Sequence, residues 1–333
     1  MDIHYSFIIP VYNRPDEIDE LLASLTHQDF EKPFEIVIVE DGSTESSEHV
    51  IEKYTDQLDI SYYFKPNSGP GDSRNYGMQK AKGNYFLILD SDCVLPKEYL
   101  SEADKALQRN YVACFGGPDA AHDSFSDLQK AINYVMTSFL TTGGIRGSEK
   151  SVTKFQPRSF NMGLSQKAFE ATGGFGKIHP GEDPDLTIRL WKAGFETQFI
   201  ANAYVYHKRR ISWKKFHLQV QKFGKCRPIL NHWHPETKKI TYWFPTVFVF
   251  SVLVALMASS IGFHLLSSLL ALYLGVIFID ASLKNKSIRI GCQAVLALFI
   301  QFFGYGLGFL KSTIKISVLK QKPQDAFPYL FFK

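Results

Sequence analysis

Short apolar runs alternate with more polar segments along the first ninety residues, and this alternation predicts the secondary structure. Runs of bulky apolar residues with little polar interruption are typical of strands buried on both faces, as in a parallel sheet. Four segments have this character and are predicted as strands: 6–11, 34–39, 60–64 and 85–89. The intervening segments predict helices, because their apolar residues recur at helical spacing or their composition is polar. Strands and helices in alternation predict a parallel, doubly wound α/β sheet.

Polar side chains follow three of the predicted strands at their carboxyl ends. Tyr12 follows the first strand, Asp41 the second, and Asp90 and Asp92 the fourth. Because ligands of open α/β sheets bind just beyond these ends, we expect the side chains to line one pocket. Two carboxylates suit Mg²⁺ or Mn²⁺, the ions that usually accompany phosphates. The pattern therefore favours a nucleoside diphosphate site with a metal ion.

Turn chemistry is an alternative explanation for each of these acids taken alone. Residues 41–43, Asp-Gly-Ser, are a good turn sequence, and a single Asp-x-Asp can simply close a strand. Two other nucleotide sites are excluded by the sequence. It has neither the Gly-x-x-x-x-Gly-Lys-Ser/Thr of a P-loop nor Gly-x-Gly-x-x-Gly after its first strand.

A second group of acids lies beyond a glycine-rich loop at residues 172–176. Asp183 follows Glu182 and precedes Pro184 and a segment with helical spacing of apolar residues. A carboxylate in this place often caps the helix that follows it. The glycines let the backbone approach a ligand and give the loop freedom to close. From the residues alone, a helix cap and a functional acid remain two explanations of Asp183.

The last third of the chain is strongly apolar. Residues 243–263 contain no charge and are long enough to cross about 30 Å of hydrocarbon. Residues 265–279 predict the second helix of a hairpin. Residues 290–310 predict a third apolar helix, which is either a further crossing or a re-entrant segment, because basic residues flank both ends. Its glycines predict a small-residue face for close helix packing: Gly304, Gly306 and Gly308.

Positive charge is concentrated beside these apolar stretches. The net charge is only +4, yet residues 207–239 contain ten lysines and arginines against one acid, Glu236. A basic segment next to apolar spans is typical of the cytoplasmic side of a membrane protein. The helix predicted at 213–223 has apolar residues on one side, which favours contact with lipid headgroups over packing on the globular domain. Nucleic acid is not an expected partner, since no recognition module adjoins the basic segment.

The composition indicates a globular domain attached to a membrane. Of the 333 residues, 45% are hydrophobic, which argues for a real core and against disorder. The four cysteines are scattered and show no disulfide framework, as expected in reducing surroundings. The chain starts without a basic, apolar leader, so we expect no cleaved signal peptide. The predicted location is the inner (cytoplasmic) membrane, with several crossings and the globular domain in the cytoplasm.

Four motifs together resemble the N-terminal half of family 2 glycosyltransferases, which have the GT-A fold. They are Ile9-Pro10-Val11-Tyr12-Asn13, Val39-Glu40-Asp41-Gly42-Ser43, Arg74-Asn75-x-Gly77 and Leu89-Asp90-Ser91-Asp92. Their order and spacing resemble the family over about the first 210 residues. We accordingly expect four parts in the chain: a GT-A catalytic domain at 1–210, a basic amphipathic helix at 211–241, membrane helices at 242–310 and a basic tail at 311–333.

The resemblance implies a nucleotide site with a role for each residue. Pro10 and Tyr12 would line the pocket of the base, and Asp41 would accept a hydrogen bond from the base. Arg74 would reach the base or the phosphates. Asp90 would contact the ribose or help to bind the metal.

The resemblance also implies a metal site and a catalytic base. Asp92 and His207 would bind Mg²⁺ or Mn²⁺ against the diphosphate. Asp183 would take the proton from the acceptor hydroxyl. Glu182 and Arg227 would contact the acceptor or its phosphate.

The implied reaction is the inverting transfer of a sugar from a nucleoside diphosphate, with UDP favoured, to a saccharide or a polyprenyl-linked saccharide. Similar membrane-anchored members of the family build bacterial surface polysaccharides, and membrane lipid would be a further partner. Two alternatives remain open. A sugar-phosphate nucleotidyltransferase has a similar sheet and metal site but needs neither an acceptor base nor membrane spans. A non-catalytic membrane adaptor on the same fold would not bind a nucleotide with its metal.

Overall fold

The chain forms two compact units in a computed structural model, which describes residues 2–120, 125–143, 155–207 and 212–332. Unit 1 comprises Met1–His122, Gly147–Lys208 and Phe331–Lys333, and unit 2 comprises Asp123–Arg146 and Arg209–Leu330. A mobile loop, which the glycines and serines of residues 141–151 predict, lies mostly outside the described residues. The domain boundaries expected from the sequence remain a prediction.

Strands occur only in unit 1 within the described part of the chain: β1 (Tyr5–Val11), β2 (Glu35–Asp41), β3 (Asp59–Lys65), β4 (Tyr85–Leu89), β5 (Cys93–Val94), β6 (Cys114–Gly116), β7 (Asp119–Ala120), β8 (Asn161–Ser165), β9 (Thr197–Phe199) and β10 (Val205–His207). They form a sheet in the order β3-β2-β1-β4-β8-β6-β9 and a smaller one in the order β5-β10-β7. The larger sheet is parallel except for β8, which runs antiparallel to both of its neighbours. This mostly parallel sheet confirms the predicted α/β fold class.

Helices are found in both units: α1 (Pro15–Leu25), α2 (Glu48–Ile51), α3 (Pro70–Lys80), α4 (Tyr99–Arg109), α5 (Asp127–Thr137), α6 (Phe139–Thr142), α7 (Gln166–Thr172), α8 (Glu182–Lys192), α9 (Trp213–Trp233), α10 (Phe244–Ser260), α11 (Leu265–Asn285), α12 (Ile288–Thr313) and α13 (Pro323–Ala326).

Side chains of β1 alternate between two cores. Phe7 and Ile9 face a core that includes α1 and α4, whereas Ile8 faces a core that includes α7 and α8. Helices therefore cover both faces of the sheet, as the doubly wound pattern predicts.

The parallel centre of the sheet brings the polar strand ends to one edge. Every residue of β2 and β4 is buried, which explains their nearly uninterrupted apolar sequence. In the parallel pairing of β1 with β2, Val11 lies opposite Glu40. Tyr12, Asp41 and Asp90 therefore leave the sheet on the same side, where open α/β sheets bind their ligands.

The smaller sheet carries His207 to this edge. β10 runs antiparallel to β5, and this pairing sets His207 opposite Cys93. Because Cys93 directly follows Asp92, the end of β10 arrives beside the acids that follow β4. His207 thus joins residues that are remote from it in sequence.

Unit 2 contains the candidate membrane spans. In the described part of the chain, three helical segments are long and apolar enough to cross a membrane: Ile240–Ser260, Leu265–Asn285 and Ile288–Val318. The helix α12 forms most of the third segment, and a π-helical turn, Ile314–Val318, completes it. Helices of this length and composition fit the hydrocarbon thickness of a bilayer, so the structure supports membrane association.

The apolar side of α9 packs on another helix, whereas its sequence favours contact with lipid. From the spacing of its apolar residues we expect this side to insert among lipid headgroups. Within unit 2, however, Phe216 and Val220 are buried in one cluster with Ala294 and Leu298 of α12. The headgroup interpretation of these side chains is therefore wrong. An amphipathic pattern shows that a face is covered, but it does not show by what.

The helix α12 approaches its neighbours closely at its glycines, which confirms the predicted small-residue face. A Cβ atom at Gly306 would lie 2.7 Å from the backbone of Pro245, and one at Gly308 would lie 2.6 Å from the carbonyl oxygen of Gln221. Gly304 also approaches α9, where the nearest atom to an added Cβ belongs to the Val220 side chain, at 2.7 Å. Backbones can come this close only where no side chain separates them.

The variant Gly308→Ala should destabilise unit 2, because the added methyl group meets backbone rather than a flexible side chain. Overpacking of this kind costs about 1–3 kcal/mol, so the midpoint of thermal unfolding in detergent should fall. The matched control is Gly275→Ala on α11, where no atom lies within 4 Å of the added Cβ and alanine favours the helix. Equal midpoints for the two variants would contradict the close packing.

Candidate active site

Asp41 anchors a loop at the ligand edge of the sheet. Its carboxylate is buried and accepts hydrogen bonds from the backbone N–H groups of Ser68 and Gly69, each at 2.9 Å. The Lys65 ammonium donates to the same carboxylate at 2.8 Å, and Asn67 Nδ2 donates to the Asp41 backbone oxygen at 2.8 Å. Asp41 therefore shapes residues 65–69, and its negative charge is compensated by Lys65 and by backbone donors.

Arg74 lies between acids from two different elements. Its guanidinium is only 3% exposed. Nη2 donates to Oδ1 of Asp90 at 2.6 Å, and Nη1 donates to Oε1 of Glu182 at 3.3 Å. Burial lowers the pKa of this arginine, but the charges of Asp90, Glu182 and Asp183 outweigh burial and raise it. The guanidinium is thus a permanent counter-ion that the two acids share.

Asp92 and His207 meet at the same edge. His207 Nε2 lies 3.2 Å from Oδ1 of Asp92 and 4.0 Å from Oδ2 of Asp90. The imidazole stacks on the ring of Phe160, with 4.8 Å between the centroids. The ligand atoms of Asp92, Cys93 and His207 all lie within 4.8 Å of one another. The Cys93 thiol is also within reach of the Phe160 carbonyl oxygen, to which it donates at 3.4 Å.

This donor set fits Mg²⁺ or Mn²⁺. Carboxylate oxygens and one imidazole nitrogen converge here, and these are ligands that Mn²⁺ accepts, with carboxylates also suiting Mg²⁺. Arg14 Nη1 lies 3.3 Å from Oδ2 of Asp92, so a metal ion would share this carboxylate with the guanidinium. The fit to a divalent cation therefore rests on the chemistry of the donor set alone.

The helix α8 begins with two adjacent acids, and neither of them caps it. Gly181 occupies the N-cap position, and no side chain makes a capping hydrogen bond. The interpretation of Asp183 as a helix cap is therefore wrong. Asp183 is partly exposed, with Nη1 of Arg158 3.9 Å from its Oδ2. Glu182 is buried, and its Oε1 lies 2.8 Å from Nδ1 of His179.

The surroundings move the pKa values of these two acids in opposite directions. Burial by itself raises both. For Glu182, the contacts with His179 and Arg74 outweigh burial, and its pKa falls below the ordinary value. For Asp183, burial and the negative charge of Glu182 outweigh Arg158 and Arg74, and its pKa rises. Such a pair supplies one permanent anion and one more basic carboxylate.

The glycine-rich loop at 172–176 is tied down, although the sequence predicts a loop that is free to close. Asn75 donates to the carbonyl oxygen of Phe175 at 2.9 Å and accepts from its N–H at 2.8 Å. Arg189 donates to the carbonyl oxygens of Thr172 and Gly174, both at 2.7 Å. The asparagine of the Arg74-Asn75-x-Gly77 motif is thus a loop anchor.

The remaining residues expected at the site lie in different places. Tyr12 is 52% exposed at the end of β1, and Pro10 lies within β1, opposite Val39 of β2. Arg227 lies on α9 and so belongs to unit 2. Its guanidinium carbon is 4.5 Å from the ring centroid of Tyr242.

The sequence does not single out four residues that lie against the acids of the site: Arg14, Cys93, Arg158 and His179. For two of them, the position in the sequence relative to an acid of the site could have indicated a role. Cys93 directly follows the Asp-x-Asp motif, and His179 precedes Glu182 by three residues, about one helical turn. Loops bring Arg14 to Asp92 and Arg158 to Asp183. No periodic sequence pattern encodes the path of a loop.

The mostly parallel sheet, with acids at its ligand edge, has the architecture of the GT-A fold. The family described as Glycosyl transferase family 2 matches residues 6–172, which is half of the chain. The chain therefore belongs to glycosyl transferase family 2, and the family and fold predicted from its motifs are confirmed.

One curated relative illustrates the sequence similarity. The poly(ribitol-phosphate) beta-N-acetylglucosaminyltransferase TarS of Staphylococcus aureus (strain Mu50) is 41% identical over 102 residues, which are 30% of this chain and 18% of TarS. The similar stretch is thus less than a fifth of the relative's length.

Two solved structures illustrate the similarity of fold. The mannosyltransferase PcManGT from Pyrobaculum calidifontis, in complex with GDP-Man and Mn²⁺, has a TM-score of 0.64 at 15% identity, covering 92% of this chain and 87% of that one. S. aureus TarS 1-349 in complex with UDP-GlcNAc has a TM-score of 0.51 at 18% identity, covering 96% and 93%. At these identities the likeness supports the fold alone.

The variant Arg74→Ala should strongly destabilise unit 1, because Asp90 and Glu182 would lose their shared counter-ion. Removing one partner of a buried ion pair costs about 3–5 kcal/mol, so thermal unfolding in detergent should begin at lower temperature. The control is Lys105→Ala, because Lys105 pairs with Glu102 on the exposed surface of α4, where ion pairs stabilise little. An Arg74→Ala protein as stable as this control would refute the shared counter-ion.

Proposed function

We propose that the chain is an inverting glycosyltransferase that moves a sugar from a nucleoside diphosphate to a saccharide acceptor. The observation that carries the proposal is the convergence of Asp90, Asp92 and His207 at the ligand edge of a GT-A sheet. Family membership supports sugar transfer. The similarity to TarS, a poly(ribitol-phosphate) beta-N-acetylglucosaminyltransferase with a structure in complex with UDP-GlcNAc, supports a nucleotide-sugar donor, with UDP favoured, and a polymeric acceptor.

The donor would bind at the ends of the first strands. The exposed ring of Tyr12, beside Pro10, offers a stacking surface for the base. The loop that Asp41 holds borders the same edge and supplies polar groups for the base. Asp90 would contact the ribose. Because Arg74 is buried, we assign it to orienting Asp90 rather than to direct contact with the base or the phosphates.

Asp92 and His207 would hold Mg²⁺ or Mn²⁺ beside the diphosphate. A bound ion of this kind neutralises the charge that develops on the departing nucleoside diphosphate. Arg14, which contacts Asp92, would help to aim that carboxylate at the site.

Asp183 would act as the general base on the acceptor hydroxyl. Its partly exposed carboxylate has a raised pKa, and a base is most effective when its pKa approaches the working pH. Glu182 remains ionised beside it and would hold Arg74 and the turn before α8 in place. In an inverting transfer, the oxygen of the acceptor attacks the sugar from the face opposite the diphosphate while its proton passes to Asp183.

We further propose that the acceptor saccharide is linked to a lipid. The three candidate spans and the basic α9 support a catalytic unit held on the cytoplasmic face of the inner membrane. Nη1 of Arg227 is buried and has no hydrogen-bond partner among the residues that the structure describes. An arginine with a spare donor suits a phosphate, such as the phosphate that joins a saccharide to a polyprenyl chain.

The variant Asp183→Asn should abolish transfer and preserve donor binding. Asparagine keeps the size of the side chain but cannot accept the proton, so kcat should fall about 10²- to 10⁴-fold. Turnover is measured as release of UDP or GDP from UDP-GlcNAc or GDP-mannose with Mn²⁺ in detergent. Soluble oligosaccharides and polyprenyl-linked saccharides serve as the acceptors. Calorimetry should give the wild-type Kd for the donor.

The exposed Asp56→Asn is the matched control for this variant and should turn over like the wild type. Wild-type turnover by Asp183→Asn would remove the proposed base. Release of pyrophosphate from a nucleoside triphosphate and a sugar phosphate would support a nucleotidyltransferase instead.

The variant Glu182→Gln should shift the pH dependence of kcat/KM. Asp183 must be ionised to accept a proton, so activity falls as the pH drops through its pKa. The charge of Glu182 raises that pKa; removing the charge should therefore move the acid limb of the profile to lower pH. Glu31→Gln, at an exposed position before β2, should leave the limb unchanged. A limb that stays in place or moves to higher pH in Glu182→Gln would exclude the electrostatic coupling of the two acids.

A further inference from the structure

Phe331 and Phe332 belong to unit 1 and lie against a loop of the candidate site. Phe331 forms an isolated antiparallel bridge with Ile178. The backbone N–H of Phe332 donates to the carbonyl oxygen of Lys177 at 3.0 Å. These two residues therefore extend along the segment that leads into the acids of α8.

The ring of Phe332 lies directly on Gly69. A Cβ atom at Gly69 would be 2.3 Å from this ring, and Gly69 has φ +92°, where glycine is strongly favoured. The N–H of Gly69 is one of the donors that bind Asp41. Phe332 thus covers the loop that Asp41 holds at the proposed nucleotide site.

The same ring also lies near His179. The centroids of the two rings are 6.1 Å apart, and His179 contacts the buried carboxylate of Glu182 at 2.8 Å. Glu182 in turn receives a hydrogen bond from Arg74. One side chain therefore borders both the loop at Asp41 and the turn before α8.

We propose that Phe332 is a positioning residue of the nucleotide site, which holds these two loops in their binding arrangement before the donor arrives. The inference rests on the proposed function, since it takes the edge near Asp41 as the place of the nucleoside diphosphate. A loop that is already ordered gives up less conformational entropy when the ligand binds, and the affinity rises accordingly. The described contacts of the Phe332 ring are with Gly69 and His179, and it would act on the nucleotide through these two residues.

The test compares nucleotide affinities of variants of the full chain in detergent. Calorimetry with UDP and with GDP, each with Mn²⁺, gives the Kd of the wild type. Phe332→Ala should raise the Kd of the preferred nucleotide by about three- to tenfold, as expected when one or two side chains become ordered only on binding. In turnover, KM for the donor should rise while kcat changes little. Phe332→Leu, which keeps an apolar side chain over Gly69, should restore most of the affinity.

The matched control is Tyr329→Ala. Tyr329 is an aromatic residue of the same segment, 56% exposed, and its ring faces the ammonium of Lys225 at 5.4 Å. Its removal should leave the Kd unchanged. A purely structural role of Phe332 would lower the midpoint of thermal unfolding without changing the Kd.

Three outcomes would overturn the inference. An unchanged Kd in Phe332→Ala, or in Phe332→Ser if the alanine variant does not fold, removes the positioning role and leaves the proposed function intact. Tighter binding in these variants means that the segment competes with the nucleotide. A wild-type chain that binds neither UDP nor GDP overturns the proposed function and this inference together.

Discussion

The buried charge of Arg74 is the constraint on which the candidate site depends. Its guanidinium joins Asp90, at the end of β4, to Glu182, at the start of α8. The buried carboxylate of Glu182 and the partly exposed carboxylate of Asp90 would repel each other without a cation between them. With His179 and Arg74 beside it, Glu182 stays ionised, and its charge raises the pKa of Asp183. One arginine thus connects the proposed ribose contact with the proposed catalytic base.

The parts of the fold that depend on local patterns could be predicted from the sequence. The strands β1, β2 and β4 are buried on both faces, so their side chains form nearly uninterrupted apolar runs that mark them individually. Since parallel strands end on the same side, the sequence alone assigns Tyr12, Asp41 and Asp90 to one edge. The glycines of α12 predict close helix packing for a similarly local reason, because only small side chains permit it.

Features that depend on contacts between distant segments could not be predicted in this way. The neighbours of His207 follow from the pairing of β10 with β5, which no spacing encodes. The apolar side of α9 is visible in the sequence, but its burial against α12 is decided by tertiary packing. Asp183 has the sequence of a helix cap, yet the backbone gives that position to Gly181. The place of Phe332 over Gly69 has no sequence signal at all.

The central claim is that the edge at Asp90, Asp92 and His207 binds a nucleotide sugar together with a divalent cation. Isothermal titration of the full chain in detergent with UDP-GlcNAc and with GDP-mannose tests this claim most directly, first with Mn²⁺ and then with EDTA. The account predicts saturable binding of at least one donor with Mn²⁺, and loss of that binding both in EDTA and in Asp92→Asn. Binding that is equally tight in EDTA, or that survives unchanged in Asp92→Asn, would contradict it.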